Sequence, residues 1–136
     1  MAVGIYLIFN GNCREAVEFY SEVFGTASDE IMTFGDHPSS DYPLSEEEKK
    51  LIMHTSMRIS GDLIMFSDAF PGSPVTVGEN VSIMVTSKDM EELKAQFHKI
   101  KEGGRVEMDL QETFWSKCYG ATIDQFGVSW QFNHEE

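Results

Sequence analysis

The chain is poor in cysteine, in basic residues and in long hydrophobic runs. Cysteine occurs twice in 136 residues, at Cys13 and Cys118, too few for the disulfide framework that holds small secreted domains together. Ten Lys and Arg stand against 23 Asp and Glu, a formal net charge of −13. Such a surface repels phosphate backbones, and no basic stripe overrules the average, so no nucleic-acid partner is expected. The opening stretch MAVGIYLIFNGN has neither a basic n-region nor a long apolar run. Neither a signal peptide nor a membrane span is therefore expected, and the expected location is cytoplasmic.

What is present describes an ordinary folded globule. Hydrophobic residues make up 41% and charged residues 24%, which argues against disorder. The length suits one domain able to bury its core without staples. The acidity would concentrate cationic ligands, although solubility is the commoner reason for it.

Ile5 to Phe9 reads as a strand ending at the turn Asn10-Gly11. Asn12 and Glu15 form a capping-box-like helix start, and Ala16, Val17, Tyr20, Val23 and Phe24 follow at helical spacing up to Gly25. Ser28 to Phe34 reads as a modest strand. Gly35 to Lys50 is a long polar loop in which Ser45 and Glu48 can cap one helical turn. Strands follow at Ile52–Ile59 and Leu63–Ser67, joined by a hairpin turn at Gly61-Asp62.

The second half repeats the first. Val81 to Val85 reads as a strand, and Asp89 with Glu92 as a helix start. Met90, Leu93, Phe97 and Ile100 share a helical face that stops at Gly103-Gly104. Arg105 to Thr113 alternates as a half-buried strand, and Trp115–Ile123 with Val128–Phe132 form a hairpin around Gln125-Phe126-Gly127. Each half is thus a βαβββ unit, residues 1–70 and 80–136, with a Pro- and Gly-containing linker over 71–79. The expected fold is α+β: paired, cupped, mixed sheets with the helices outside and a concave cavity for a small molecule.

These segments resemble the vicinal oxygen chelate superfamily of glyoxalases, bleomycin-resistance proteins and extradiol dioxygenases, and within it the PhnB-like branch, often labelled demethylubiquinone methyltransferase-like. The resemblance is carried by Ile5 through Asn12, Ala16, Phe19-Tyr20 and Val23 through Gly25. It continues through His54, Gly61-Asp62, Met65 through Ala69 and Pro71-Gly72. It ends with Trp115, Tyr119-Gly120, Asp124, Phe126 through Val128 and Trp130-Gln131. The resemblance covers nearly the whole chain and implies a homodimer, with exchange of units through the Pro71–Gly78 linker as one form of it.

The resemblance also implies where a catalytic metal would sit. Aligned on Phe19-Tyr20, Gly61-Asp62 and Phe126-Gly127, its ligand positions fall at Ile5, Met65, near Asn80 and at Gln131. Neither Ile nor Met offers the oxygen or imidazole donor that such an ion wants, and Asn and Gln offer only neutral carbonyls. No metal and no other cofactor is expected. The methyltransferase label finds no support either: Gly11 stands alone where a methyl-donor site of Rossmann type needs a Gly-rich turn.

The expected ligand-binding residues are Leu7, His54, Met65, Asn80, Ser82, Trp115 and Gln131. Leu7 is placed by parity with Ile5, and Met65 and Gln131 stand at the former ligand positions. His54 shares a strand face with Ser56 and Arg58, and histidine is the side chain most readily poised near neutral pH. The plainer reading of His54, a polar residue on the less buried side of a strand, carries more weight. Gln131 can both donate and accept hydrogen bonds. Trp115, at a strand end, is a candidate lid, whereas Tyr119 and Trp130 read first as core. Asp68 and Asp124 read as local backbone anchors. Cys13 falls in the first helical turn, where the dipole lowers a thiol pKa, but with no base or resolving cysteine adjacent in sequence it reads as structural. His98 and His134 read as solvent-facing. The resulting reading is a metal-free binder of a small organic molecule, a cation being the favoured kind. The alternatives are a metal-dependent lyase or transferase with a rebuilt site, and a dimeric scaffold whose cavity its own Met and Phe side chains fill.

Overall fold

The apolar positions at helical spacing produce two amphipathic helices, and each buries its stripe against one sheet. The computed structural model describes residues 2–38 and 42–136; residues 39–41 of the expected Gly35–Lys50 loop lie outside the described residues. The chain divides into two compact units, Met1–Val75 and Thr76–Glu136.

The first unit contains β1 (Ile5–Phe9), α1 (Cys13–Phe24), β2 (Met32–Thr33), α2 (Glu46–Lys49), β3 (Ile52–Ile59) and β4 (Asp62–Asp68), with strand order β1-β4-β3-β2. β1 and β4 run parallel; the other pairs are antiparallel. α1 packs on β3 and β4 through Cys13, Ala16, Val17, Tyr20 and Val23, all buried. The Tyr20 ring lies 6.0 Å from that of Phe66, itself 6.5 Å from the Phe9 ring.

Three local expectations change here. Asn12 makes no side-chain cap; the first N–H of α1, that of Cys13, is instead taken by Asp68 Oδ1 at 2.9 Å. The hairpin turn is Ser60-Gly61, both at positive φ (52° and 87°), because Ile59 already pairs with Asp62. This is the twist-matched two-residue turn of antiparallel strands. The strand expected over Ser28–Phe34 shrinks to Met32–Thr33, because Thr33 and Asp36 close a reciprocal capping box and start a 3-10 turn, Phe34–Asp36. The box expected from Ser45 and Glu48 is present and starts α2.

The second unit contains β5 (Ser82–Ser87), α3 (Met90–Ile100), β6 (Arg105–Gln111), β7 (Tyr119–Ile123) and β8 (Ser129–His134), in the order β5-β8-β7-β6. The first strand lies beside the fourth in both units, so the repeat extends to topology. The fold is therefore α+β with two four-stranded mixed sheets, as expected. Asp89 Oδ1 accepts from the Glu92 N–H and caps α3 as read from sequence. Leu93, Phe97 and Ile100 are fully buried, and the Phe97 ring meets Phe132 edge-on at 5.7 Å. β7 begins only at Tyr119, leaving Trp115 and Cys118 outside the strand, where Thr113 N–H bonds to Ser116 O. Among the described residues no helix is long and apolar enough to cross a membrane.

Asp124 closes the β7–β8 turn. Its Oδ1 accepts the N–H groups of Phe126 (2.8 Å) and Val128 (3.0 Å), and its Oδ2 accepts the indole N–H of Trp130 (2.8 Å). Gly120 lies directly under the helix: a Cβ there would sit 2.9 Å from Phe97 Cε2 and 2.9 Å from Leu110 Cδ2.

Both features set stability. Asp124→Asn would turn an amide N–H₂ toward donors, and should lower unfolding free energy by about 2 kcal/mol. Gly120→Ala should cost about 1–3 kcal/mol through overpacking. Urea denaturation against the exposed control Glu102→Gln checks both; changes no larger than the control's would refute them.

Candidate functional site

Pleating gives each sheet two faces, and the helix covers only one. In the first unit Phe66 contacts Tyr20 of α1, so residues paired with Phe66 share the covered face. Leu7 is one of them, opposite Phe66, and Ile5 lies opposite Ile64. Leu7 therefore shares a face with Ile5, as expected, but not with Met65, which corrects its grouping with Met65 on one wall. The residues of opposite parity are Tyr6, paired with Met65, and Met65, paired with Ser56.

His54 has the parity of Ser56, and the contact follows: Tyr6 Oη lies 3.1 Å from His54 Nδ1, with ring centroids 5.7 Å apart. Ser56 Oγ donates to Asp29 Oδ2 at 2.6 Å. Tyr6 and Ile8 are each 44% exposed, whereas His54 and Met65 are half-buried.

In the second unit Trp130 and Phe132 take the α3 side, and Ser82, Met84, Ser129, Gln131 and Tyr119 take the other. The Tyr119 hydroxyl donates to Gln131 Oε1. Trp115, 55% exposed, stands edge-on to Tyr119 with centroids 5.4 Å apart. Ser129 and Ser82 hydroxyls meet at 3.2 Å. Asn80 is exposed, two residues before β5.

Thus His54 and Met65 share one face in the first unit, and Ser82 and Gln131 share one in the second, with Trp115 joined to Gln131 through Tyr119. Sequence reasoning missed Tyr6 altogether and read Tyr119 as core. Alternation in β7 and β8 could have found Tyr119. Nothing local could have found Tyr6, because every residue of β1 is apolar or aromatic.

Two hollows lie elsewhere in the first unit. One of about 220 Å³ is lined by Phe34, Pro38, Tyr42, Pro43, Leu44 and Lys49 among others. Another, about 300 Å³, includes Asn10, Glu48, Leu51, Phe70 and Pro71. Neither is lined by an expected site residue.

The residues do not fit the metal that the superfamily resemblance implies. Ile5, on the covered face, has no donor atom, and Met65 offers only a thioether. Gln131 Oε1 already accepts the Tyr119 hydroxyl. Among the described residues no three His, Cys, Asp or Glu side chains form a metal-holding group.

Cys13 is fully buried, and its thiol is pushed up to about 12, first by burial and then by the neighbouring Asp68 carboxylate. Desolvation thus overrides the helix dipole. Asp36 is held below the usual carboxylate range by the Thr33 N–H and hydroxyl. His98 is exposed, as expected, but His134 is half-buried, with Nε2 3.2 Å from Lys88 O and a sealed Nδ1 that has no partner.

Residues 2–133 match the family model described as 3-demethylubiquinone-9 3-methyltransferase. Protein YjdN of Escherichia coli K12 is 33% identical over 140 residues, covering 98% of this chain and 95% of that protein. Protein PA1353 of Pseudomonas aeruginosa is similar in structure, with 36% identity and a TM-score of 0.87 over 99% of this chain and 98% of that one. A PhnB protein of Bacillus cereus has 26% identity and a TM-score of 0.80 over 99% and 100% of the two chains.

The Cys13 environment carries a pH prediction. A thiol raised from 9.0 to about 12 in the native state ionises first in the unfolded chain, so its contribution is whole below pH 9. It falls by about 1.4 kcal/mol per pH unit above that. Wild type should lose stability above pH 9 more steeply than Cys13→Ala in urea titrations. Parallel profiles would refute this.

Proposed function

Because the chain belongs to the 3-demethylubiquinone-9 3-methyltransferase family, the PhnB-like branch of the vicinal oxygen chelate superfamily, we propose that it binds a small organic molecule without a metal. The observation that carries this reading is the platform formed by Trp115, Tyr119 and Gln131 on the face opposite α3. An indole 55% exposed and set edge-on to a tyrosine offers an open ring face to an incoming group. Its ring face and the adjoining Tyr119 suit a flat or cationic group, through stacking and cation–π attraction. The Gln131 amide N–H₂ remains to donate to the ligand, since Oε1 is engaged by Tyr119. Ser82, and Asn80 before it, would extend the polar part of the same site. His54 and Met65 would supply a second contact surface in the first unit. The net charge of −13 favours a cationic ligand.

The family's description names methyl transfer. A dinucleotide-type methyl-donor site needs the crevice of a doubly wound parallel sheet. Each sheet here has one parallel pair among four strands, which supports a binding reading over that one.

Tryptophan fluorescence tests the proposal, because Trp115 is exposed while Trp130 is fully buried. A panel of flat organic cations should give at least one saturable quench. Trp115→Phe should abolish the signal, and Gln131→Ala should weaken binding several-fold by loss of one hydrogen bond. No quench across the panel would overturn binding at this platform; a thermal shift with Zn²⁺, Ni²⁺ or Mn²⁺ that is lost in His54→Ala would overturn the metal-free reading and favour an enzyme with a rebuilt site.

The chain should also form a homodimer. Val81, Met84 and Phe114 are 74%, 51% and 97% exposed, apolar surface of the kind that a partner copy covers. Light scattering at micromolar concentration should give twice the chain mass; a monomer would refute the assembly.

A further inference from the structure

Tyr6 and His54 come from strands that are not neighbours: β4 lies between β1 and β3. They meet over β4, whose residues on this face are Leu63, Met65 and Ser67. A hydrogen bond between side chains two strands apart fixes both rings, and Tyr6 Oη reaches Nδ1, not Nε2. A phenol O–H is a good donor and a poor acceptor, because its lone pair is shared with the ring, whereas an unprotonated imidazole nitrogen is a strong acceptor. The favourable pairing has Tyr6 donating to Nδ1. In the neutral ring the proton then sits on Nε2, which has no partner among the described residues and is not among the sealed polar atoms.

We propose that Tyr6 is a positioning residue for His54. By holding Nδ1 as an acceptor, it fixes the ring as the Nε2–H tautomer and makes this face a hydrogen-bond donor site for a neutral ligand bearing a carbonyl or comparable oxygen acceptor. The Tyr6 ring and Met65 supply the apolar flank such a ligand would lie on. The tautomer assignment stands apart from the ligand reading given above; the ligand class rests only on that reading's small organic molecule, and at this face of the first unit it is neutral.

Two measurements on the intact chain test this. The first is ¹⁵N–¹H correlation of the His54 ring at alkaline pH, in wild type and in Tyr6→Phe, which keeps the ring and loses only a half-exposed hydroxyl. Wild type should show Nε2 protonated and Nδ1 shifted upfield by an accepted hydrogen bond, and the Nδ1 shift should be lost in Tyr6→Phe. A protonated Nδ1, or spectra identical in the two proteins, overturns the positioning role. The second titrates acetophenone, a neutral aromatic ketone, while following the His54 ring C–H signals. A saturable shift is expected in wild type, roughly three- to ten-fold weaker in Tyr6→Phe. Equal affinity in the two proteins overturns the role of Tyr6. No saturable shift in wild type overturns the ligand class, while the Trp115 fluorescence assay decides separately whether the chain binds small molecules.

Discussion

A carboxylate withdrawn from water is tolerated only when donors converge on it, and each unit is tied together by one. Asp68, 4% exposed, accepts the N–H of Cys13 through one oxygen and that of Ile52 through the other, each at 2.9 Å. One side chain at the end of β4 thereby fixes the first turn of α1 and the first residue of β3. Without it the leading N–H of α1 would be an orphan donor in a buried place. Asp124, 3% exposed, does the same with a shorter reach: it closes the β7–β8 turn and takes the Trp130 indole N–H, which anchors the largest fully buried side chain.

These anchors fix which face of each sheet lies under its helix, and so also which residues remain on the other. In both units the remaining face carries a tyrosine hydroxyl held by a side chain of another strand, Tyr6 with His54 and Tyr119 with Gln131. The groups differ in what they leave over. The first keeps an imidazole nitrogen beside a thioether; the second keeps an amide N–H₂ beside an exposed indole. A repeat in topology has become two chemically unlike surfaces through a few side chains, while the anchoring carboxylates serve both units.

The helices were legible because their signal is local and periodic. Ala16, Val17 and Tyr20, like Leu93, Phe97 and Ile100, declare a face at 3.6 spacing, and the caps at Asp89 and Ser45–Glu48 lie within one turn. What failed depends on distant partners. The cap of α1 is Asp68, 55 residues from Cys13, and no local window finds it. The Ser60-Gly61 turn hides one residue upstream because a serine at positive φ gives no compositional sign. The shortening of the strand at Ser28–Phe34 turns on competition between a ladder and the Thr33–Asp36 box, which propensity alone does not decide. On the second sheet, the face that Gln131 shares with Ser129 was legible from the alternation of β8, whose Trp130 and Phe132 are buried core.

Leu7 failed for a different reason, and the failure bears on the chemistry. In a strand whose residues are all apolar or aromatic, an error of one residue leaves no trace in composition but exchanges the two faces. The register resolves it: Ile5 and Leu7 lie opposite Ile64 and Phe66, on the α1 side, and Tyr6 lies opposite Met65. On the face opposite α1 the strand therefore presents a phenol, and its oxygen is hydrogen-bonded to His54. Tyr6 and His54 thus meet as a hydrogen-bonded pair on the face opposite α1, and a slip of one residue in β1 would have put Ile5 or Leu7 there instead.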